Sequence, residues 1–258
     1  MRAILKQAQD AAHTSVALYA LMAAVMTVLG LLFVPQILRL VQTPAAAMPE
    51  AKRYLYTVFA GTVFTFGYNL IGALQRGLGN AAASMSFVII SSAANIALDA
   101  VFIVWLGMGA FGAALGTVLS QVAAFVIGTV QFARGGAALR LSARAVRFHK
   151  NHLKNILLFG VPTALNEVMV NLAMLTVSGV ANSFGLASSA AYGVGSRINS
   201  LAIFTDGAMN QTMSAYASQN IGAGRQKRAL EGLWKAIILS AGAALGTSLL
   251  VLGFASEF

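Results

Sequence analysis

The sequence predicts an all-α protein, a polytopic bundle of about seven transmembrane helices. Hydrophobic residues make up 58% of the 258 residues and charged residues only 9%, whereas a soluble domain usually has about a quarter of its residues charged. The mean hydropathy is +0.77, and the apolar residues are grouped into long runs between short polar segments. Such a chain has too few polar side chains to cover a surface that faces water.

Seven apolar runs are long enough to cross a bilayer, which takes roughly 20 mostly apolar residues in an α-helix. Glycine and serine are frequent inside these runs, and membrane helices tolerate both residues. In chain order, the predicted spans are Val16–Ile37, Tyr54–Leu74, Met85–Leu106, Phe111–Phe132, Ile156–Phe184, Ala190–Ala215 and Ala236–Phe254.

The first run has features of a signal peptide, because Arg2 and Lys6 precede it and Ala45–Ala47 offers a small-residue cleavage pattern. However, Val16–Ile37 is longer than the roughly 7–15-residue apolar core of a signal peptide, and the small residues lie too far downstream. We therefore interpret this run as a membrane helix.

The second, third and fourth runs each carry polar residues on one helical face, since residues three or four apart are neighbours on a helix. In the fourth run, Gly112 and Gly116 also form a GxxxG pair, a pattern that allows two helix backbones to approach closely. The three polar stripes are Thr62, Thr65 and Asn69, then Ser92, Asn95 and Asp99, and finally Thr117 and Gln121.

The fifth and sixth runs have polar stripes of the same kind. Five neighbouring spans with a polar face predict one or more hydrated cavities between helices, which is typical of a transporter or channel. Arg197 and Asp206 are nine residues apart in the sixth run, so they point to roughly opposite sides of the helix and are not expected to neutralise each other. The stripes are Thr163, Glu167, Asn171 and Ser178 in the fifth run, and Asn199, Asp206 and Asn210 in the sixth.

Asp99, Glu167 and Asp206 are acidic residues within predicted spans. Ionisable groups at bilayer depth are costly and usually face a cavity or a partner, so these three are the strongest functional candidates. The alternative is that polar residues only form hydrogen bonds that hold helices together. We favour that structural role for Thr62, Thr65, Ser92 and Ser178.

The distribution of basic residues predicts the orientation in the membrane. If the N-terminus is cytoplasmic, the outer segments carry only Arg39, Lys52 and Arg53, which satisfies the positive-inside rule. We therefore expect a multi-pass protein of the plasma (inner) membrane, and we attribute the net charge of +10 to orientation and not to nucleic-acid binding. The inner basic residues are Arg2, Lys6, Arg76, Arg134, Arg140, Arg144, Arg147, Lys150, Lys154, Arg225, Lys227, Arg228 and Lys235.

Six short motifs lie in order along nearly the whole chain. They are NLIGALQRGLGN at Asn69–Asn80, NIALDAVFI at Asn95–Ile103, GMGAFGAALGTVLSQ at Gly107–Gln121, GVPTALNE at Gly160–Glu167, AYGVGSR at Ala191–Arg197 and SQNIGAGR at Ser218–Arg225. Together the motifs resemble the MATE family, the multidrug and toxic compound extrusion transporters.

The resemblance implies an architecture of twelve helices in two six-helix lobes, of which this chain is similar to helices three to nine. Residues 1–138 would then form four helices of the amino-terminal lobe, and residues 139–155 the cytoplasmic connection between the lobes. Residues 156–258 would form the first three helices of the carboxyl-terminal lobe.

The family resemblance also implies a secondary antiporter and not an enzyme. It would export cationic or amphipathic compounds in exchange for protons or sodium ions. No cofactor beyond the coupling ion, no nucleic-acid partner and a monomeric full-length protein are expected. The implied partners are membrane lipid and a small cationic substrate.

The resemblance places an ion-coupling site on Asp99, Asn95, Asn69 and Thr117, with sodium at Asp99 as the one metal ion considered. The first-helix aspartate that completes this site in the prokaryotic branch has no counterpart in the chain. In the carboxyl-terminal lobe some members use an acid on helix seven, and Glu167 lies about one turn before that position. The predicted substrate cavity consists of Glu167, Asn171, Asp206 and Asn210.

Three other functions remain open from the residues. A flippase for lipids or lipid-linked precursors has the same superfold, although it would favour basic residues in the cavity, and Arg197 alone is basic within a span. The second is a seven-helix receptor or a light-driven pump, but a retinal-binding pump needs a lysine deep in its last helix, whereas Lys235 lies at the membrane edge. An intramembrane enzyme is disfavoured because the chain has no cysteine and no HExxH motif, and because His13, His149 and His152 lie outside the predicted spans.

Overall fold

The computed structural model describes residues 2–41, 43–134 and 146–254, and these ranges are almost entirely helical. The chain folds into two compact units, Met1–Leu158 and Phe159–Phe258. The helices are α1 (Arg2–Leu40), α2 (Met48–Gly77), α3 (Ala81–Asp99), which continues as a π-helical segment (Ala100–Trp105), α4 (Gly109–Arg134), α5 (Lys150–Ser183), α6 (Leu186–Gly222) and α7 (Gln226–Phe254).

Six of the described helices are long and apolar enough to cross a membrane, which supports the predicted membrane bundle. The first of these helices, α1, covers the predicted span Val16–Ile37 and extends beyond it at both ends. Helix α6 covers the predicted sixth span, Ala190–Ala215.

Residues 139–155 are predicted to be a loop that connects the lobes, and the structure describes this segment from residue 146 onward. Its last residues, 150–155, are not a loop, because α5 already begins at Lys150. Their charge and polarity favour a loop. However, lysine and asparagine side chains can stay solvated on the first turns of a helix while the backbone forms its hydrogen bonds. Leu153 N, for example, donates to His149 O at 2.9 Å. The role of residues 139–155 as the connection between the lobes stays a prediction.

Small residues on one face of α4 allow α2 and α3 to approach its backbone. A Cβ atom at Gly128 would lie 3.2 Å from Ile71 Cγ2 and 3.2 Å from ring carbons of Phe87. Between membrane helices, association depends on such close packing, since lipid is as apolar as the side chains. The predicted GxxxG pair belongs to a longer buried stripe at every fourth position: Gly112, Gly116, Ser120, Ala124, Gly128 and Phe132.

The core of the first unit surrounds Phe87, whose side chain is fully buried. A buried aromatic ring contributes a large packing area, so it fixes how the helices around it are spaced. The cluster joins residues from α1, α2, α3 and α4: Ala12, Ile71, Phe87, Ala124 and Phe132.

Polar side chains also link the helices of the first unit. Thr65 Oγ1 on α2 donates a hydrogen bond to Gln121 Oε1 on α4. Ser91 Oγ on α3 donates to the carbonyl of Ser120 on α4 at 2.7 Å. The structural role predicted for Thr65 agrees with its hydrogen bond, because the side chain holds two helices together.

In the second unit, α6 and α7 form a helical hairpin around the turn at Gly224, which has φ of 71°. Tyr216 on α6 packs so closely on Gly232 of α7 that a Cβ atom there would lie 2.8 Å from Tyr216 Cδ1. The Tyr216 hydroxyl also lies 3.4 Å from the carbonyl oxygen of Arg228, to which it donates. A side chain at position 232 would therefore push the two helices apart.

Candidate functional site

Asp99 is the last residue of α3 and lies within the third membrane-spanning helix. Its Oδ1 is 3.5 Å from Asn95 Nδ2, the donor one turn earlier on the same face, which is the outer limit of hydrogen-bond distance. The same oxygen lies so close to Gly116 on α4 that a Cβ atom there would collide with it. The half-buried carboxylate is thus held at the interface of α3 and α4.

The helix changes its winding directly after Asp99. Residues Ala100–Trp105 form a π-helical segment, a rare feature that occurs frequently at functional sites. A Cβ atom at Gly112 would lie 3.0 Å from Phe102 Cβ, so this segment also packs against the small-residue face of α4. The sequence reasoning missed the π-helical segment, since nothing in the pattern of apolar residues distinguishes it from α-helix.

For Thr117 and Asn69, the other two predicted ion-coupling residues, the structure describes no contact with Asp99. Thr117 is half-buried on α4, and Asn69 is exposed on α2. Asn69 Nδ2 donates to the carbonyl of Thr65 on its own helix at 2.8 Å. Among the contacts described, only that of Asn95 joins a predicted partner to Asp99, so the roles of the other two stay predictions.

The predicted substrate-cavity residues lie on α5 and α6. Glu167 and Asn171 are exposed, and Asn171 Nδ2 donates to the Glu167 carbonyl at 2.7 Å. Asn210 lines a groove of about 550 Å³ between α6 and α7, together with Leu233. Asp206 lies on α6 one turn before Asn210, but its side chain is outside the described residues. The shared cavity of Glu167 and Asp206 stays a prediction.

The site around Asp99 lacks a basic partner in the part of the chain that the structure describes. The ion pairs there join Arg53 to Glu50 and His149 to Asp10. A charged carboxylate at bilayer depth is costly, and without a basic neighbour it is stabilised by taking up a proton or a cation. The described residues contain no group of three or more acidic, histidine or cysteine side chains that could hold a metal ion.

A second polar cluster, which sequence reasoning did not anticipate, ties the start of α5 to α1. Thr14 is fully buried, and its Oγ1 accepts a hydrogen bond from His149 N at 3.2 Å and lies 3.1 Å from His149 Nδ1. His149 Nε2 is 3.4 Å from Asp10 Oδ1 and 3.1 Å from Arg147 Nε. No sequence spacing could reveal this cluster, because Thr14 and His149 are 135 positions apart.

Comparison with known proteins decides the family. The family model MatE matches the chain in two segments, residues 5–101 and 162–258. The chain belongs to the MatE family. The two segments include α1–α3 on one side and most of α5–α7 on the other, and the family resemblance predicted from the six motifs is confirmed.

Curated relatives that match this MatE chain are named as multidrug resistance or export proteins. It is 32% identical over 192 residues to the probable multidrug resistance protein YpnP of Bacillus subtilis, covering 74% of this chain and 43% of that protein. It is 30% identical to the probable multidrug resistance protein YoeA of the same organism, covering 83% of this chain and 49% of that protein. A structure described as the outward-facing conformation of a multidrug resistance MATE family transporter of the MOP superfamily matches with a TM-score of 0.81 and 25% identity, covering 96% of this chain and 56% of that one.

The comparisons and the helices together establish a multi-pass membrane protein of a transporter family. The chain spans about half the length of the curated relatives it matches. The activity of a whole transporter is therefore a proposal for this chain, to be argued from its residues.

Proposed function

We propose that this MatE chain is part of a secondary active antiporter that exports cationic or amphipathic compounds in exchange for protons or sodium ions. The observation that carries the proposal is the half-buried carboxylate of Asp99 within a span, beside Asn95 and against the backbone of Gly116. The names of the relatives, multidrug resistance and export proteins, support the export of drugs.

Asp99 would exchange its ion in step with movement of the helices. Asn95 lies on the same face and can donate to the carboxylate. We propose that a proton or sodium ion binds at this carboxylate and leaves it again as the helices move. An ion and a cargo molecule that prefer different facing states would then drive export through their differential affinities for those states.

The remaining parts of the proposal follow the family resemblance. Asn69 and Thr117 would add oxygen or amide groups to the ion site in one facing state. The cargo would be bound by Glu167, Asn171, Asp206 and Asn210 of the second unit. We propose that the coupling ion is the sole cofactor and that the full-length protein is a monomer in the plasma membrane with a cytoplasmic N-terminus.

The test replaces Asp99 in a chimera that joins this chain to the remaining helices of a close relative. Asp99→Asn keeps the size and much of the hydrogen bonding but removes the charge, while Asp99→Ala removes both. We expect both variants to lose ion-driven efflux of a cationic dye by at least about tenfold, because coupling needs a group that binds the ion. Glu50→Gln, which neutralises an exposed carboxylate in a surface ion pair, serves as the control.

Two results would contradict the proposal. If Asp99→Asn kept full ion-driven efflux and only Asp99→Ala lost it, Asp99 would be structural. If the parent chimera moved lipid between leaflets but exported no dye, the flippase alternative would be correct.

A further inference from the structure

The turn between α6 and α7 contains a strongly basic cavity of about 730 Å³. Within the described residues, no carboxylate lies at ion-pair distance from any of its cations. The described lining of the cavity therefore has an excess of positive charge. Its charged lining residues are the cations Arg225, Lys227, Arg228 and Lys235 and the single acid Glu231.

The walls of the cavity are held by backbone and aromatic contacts. The ring of Tyr216 lies against the backbone of Gly232, and its hydroxyl donates to the Arg228 carbonyl. At the turn, Arg225 N donates to the carbonyl of the buried Asn220 at 2.8 Å. The backbone that carries the cations is thus fixed, although the cationic side chains themselves are exposed.

The position of the cations is unfavourable in the absence of an anion. The first turn of α7 contains no acidic residue, whereas Arg225, Lys227 and Arg228 all lie at its amino-terminal end. That end of a helix carries a partial positive charge and favours anions, so the three cations and the helix repel each other. An anion in the cavity would relieve both repulsions.

The same face of α7 becomes apolar immediately beyond the cavity. From Lys235 the face continues through Ile238, Leu245 and Leu249, which are spaced three, four or seven residues apart and are 68%, 66% and 68% exposed. Trp234, which is 61% exposed, lies at the border, and tryptophan favours the boundary between the acyl chains and the headgroups. The basic cavity therefore lies at the boundary between the polar and the apolar part of α7.

We propose that the basic cavity binds the headgroup of an anionic phospholipid, whose acyl chains lie along the apolar face of α7. The charge of the cavity selects a negative ligand, and the adjoining apolar face selects a ligand that also carries acyl chains. Basic pockets between membrane helices are known to bind acidic lipid headgroups. The site is separate from Asp99 and does not depend on antiport.

The test measures lipid binding to the full purified chain in detergent by native mass spectrometry. Phosphatidylglycerol is titrated against phosphatidylcholine in the parent and in Arg225→Gln/Arg228→Gln. Near a membrane surface each cation contributes about 1 kcal/mol, or about fivefold in affinity. We expect the double variant to bind phosphatidylglycerol about 25-fold more weakly, with no change for phosphatidylcholine.

The control is Arg39→Gln/Arg53→Gln, which makes the same change in charge at exposed positions elsewhere and is expected to shift affinity by less than about threefold. Lys227→Gln/Lys235→Gln provides a second disruption in case the first variant fails to fold. Equal phosphatidylglycerol binding by the parent and a folded cavity variant would overturn the proposal. It would also be overturned if soluble glycerol 3-phosphate displaced the lipid at equal concentration, since the cavity would then be a site for free phosphate.

Discussion

The packing of α2 on α4 can be tested at Gly61, which is buried on α2. A Cβ atom at this position would lie 3.1 Å from Val118 Cβ and 2.8 Å from Val118 Cγ1 on α4, and closer still to Cγ2. Carbon atoms normally pack at about 3.5–4.0 Å. Valine in a helix has one strongly preferred rotamer, so its Cβ and both methyl groups cannot move aside. The change Gly61→Ala therefore requires α2 and α4 to separate by roughly 1 Å.

The expected cost is that of overpacking a tight interface, about 1–3 kcal/mol of unfolding free energy. Alanine also has a helix propensity up to about 1 kcal/mol more favourable than that of glycine. The cost of overpacking is therefore best measured against a matched glycine-to-alanine control. Gly77→Ala makes the same change at the end of α2, where a Cβ atom would meet nothing within 4 Å. We expect Gly61→Ala to be about 1–3 kcal/mol less stable than Gly77→Ala.

The assay is denaturant unfolding of the purified chain in mild detergent, followed by circular dichroism. Adding Val118→Ala to Gly61→Ala removes both crowding methyl groups, so the double variant should recover about 1–2 kcal/mol relative to the sum of the single changes. A Gly61→Ala protein as stable as Gly77→Ala would refute the close approach of α2 and α4. If the losses of unfolding free energy in the two single variants simply added up in the double variant, Val118 would not be the residue that crowds position 61.

Two further predictions concern the membrane orientation and the cluster around His149. The native chain has no cysteine, so single cysteines can be labelled cleanly. In intact cells, Ala145→Cys should not react with a membrane-impermeant thiol reagent, whereas Ala46→Cys should be labelled. Labelling of position 145 from outside would contradict the cytoplasmic N-terminus. Thr14→Val removes the acceptor of the His149 amide hydrogen bond, worth about 1 kcal/mol. Exchange of that amide hydrogen should accelerate about fivefold, and should not respond to Thr57→Val, which removes only a bond within α2.

The helices could be predicted because a membrane span is a property of local composition. Any run of roughly 20 apolar residues that enters a bilayer must form its hydrogen bonds within itself. The loop predicted for residues 150–155 is the exception, because these polar residues belong to α5, which begins outside the apolar run.

The candidate site was predictable only as far as its geometry is local. Asn95 and Asp99 are four residues apart, so helical periodicity alone places them on one face. The contact of Asp99 with Gly116 depends on how α3 meets α4, and the π-helical segment depends on a local change of winding. Neither appears in the spacing of the residues. The proximity of Thr14 and His149 likewise depends on the path of the chain.

The structure also changes what a polar stripe in a membrane helix indicates. The sequence predicts hydrated helix faces that include Asn69, Asn171 and Thr163. In the structure, each of these side chains donates to a carbonyl on its own helix at 2.7–2.8 Å. A side chain with a hydrogen-bond donor can satisfy that donor on a carbonyl of its own helix. Amide and hydroxyl side chains alone therefore do not require a hydrated cavity. An ionised carboxylate has no donor and cannot use the helix carbonyls. It needs a donor, a proton or a cation from elsewhere, and this requirement makes Asp99 a stronger functional candidate than the neutral residues of the same stripe.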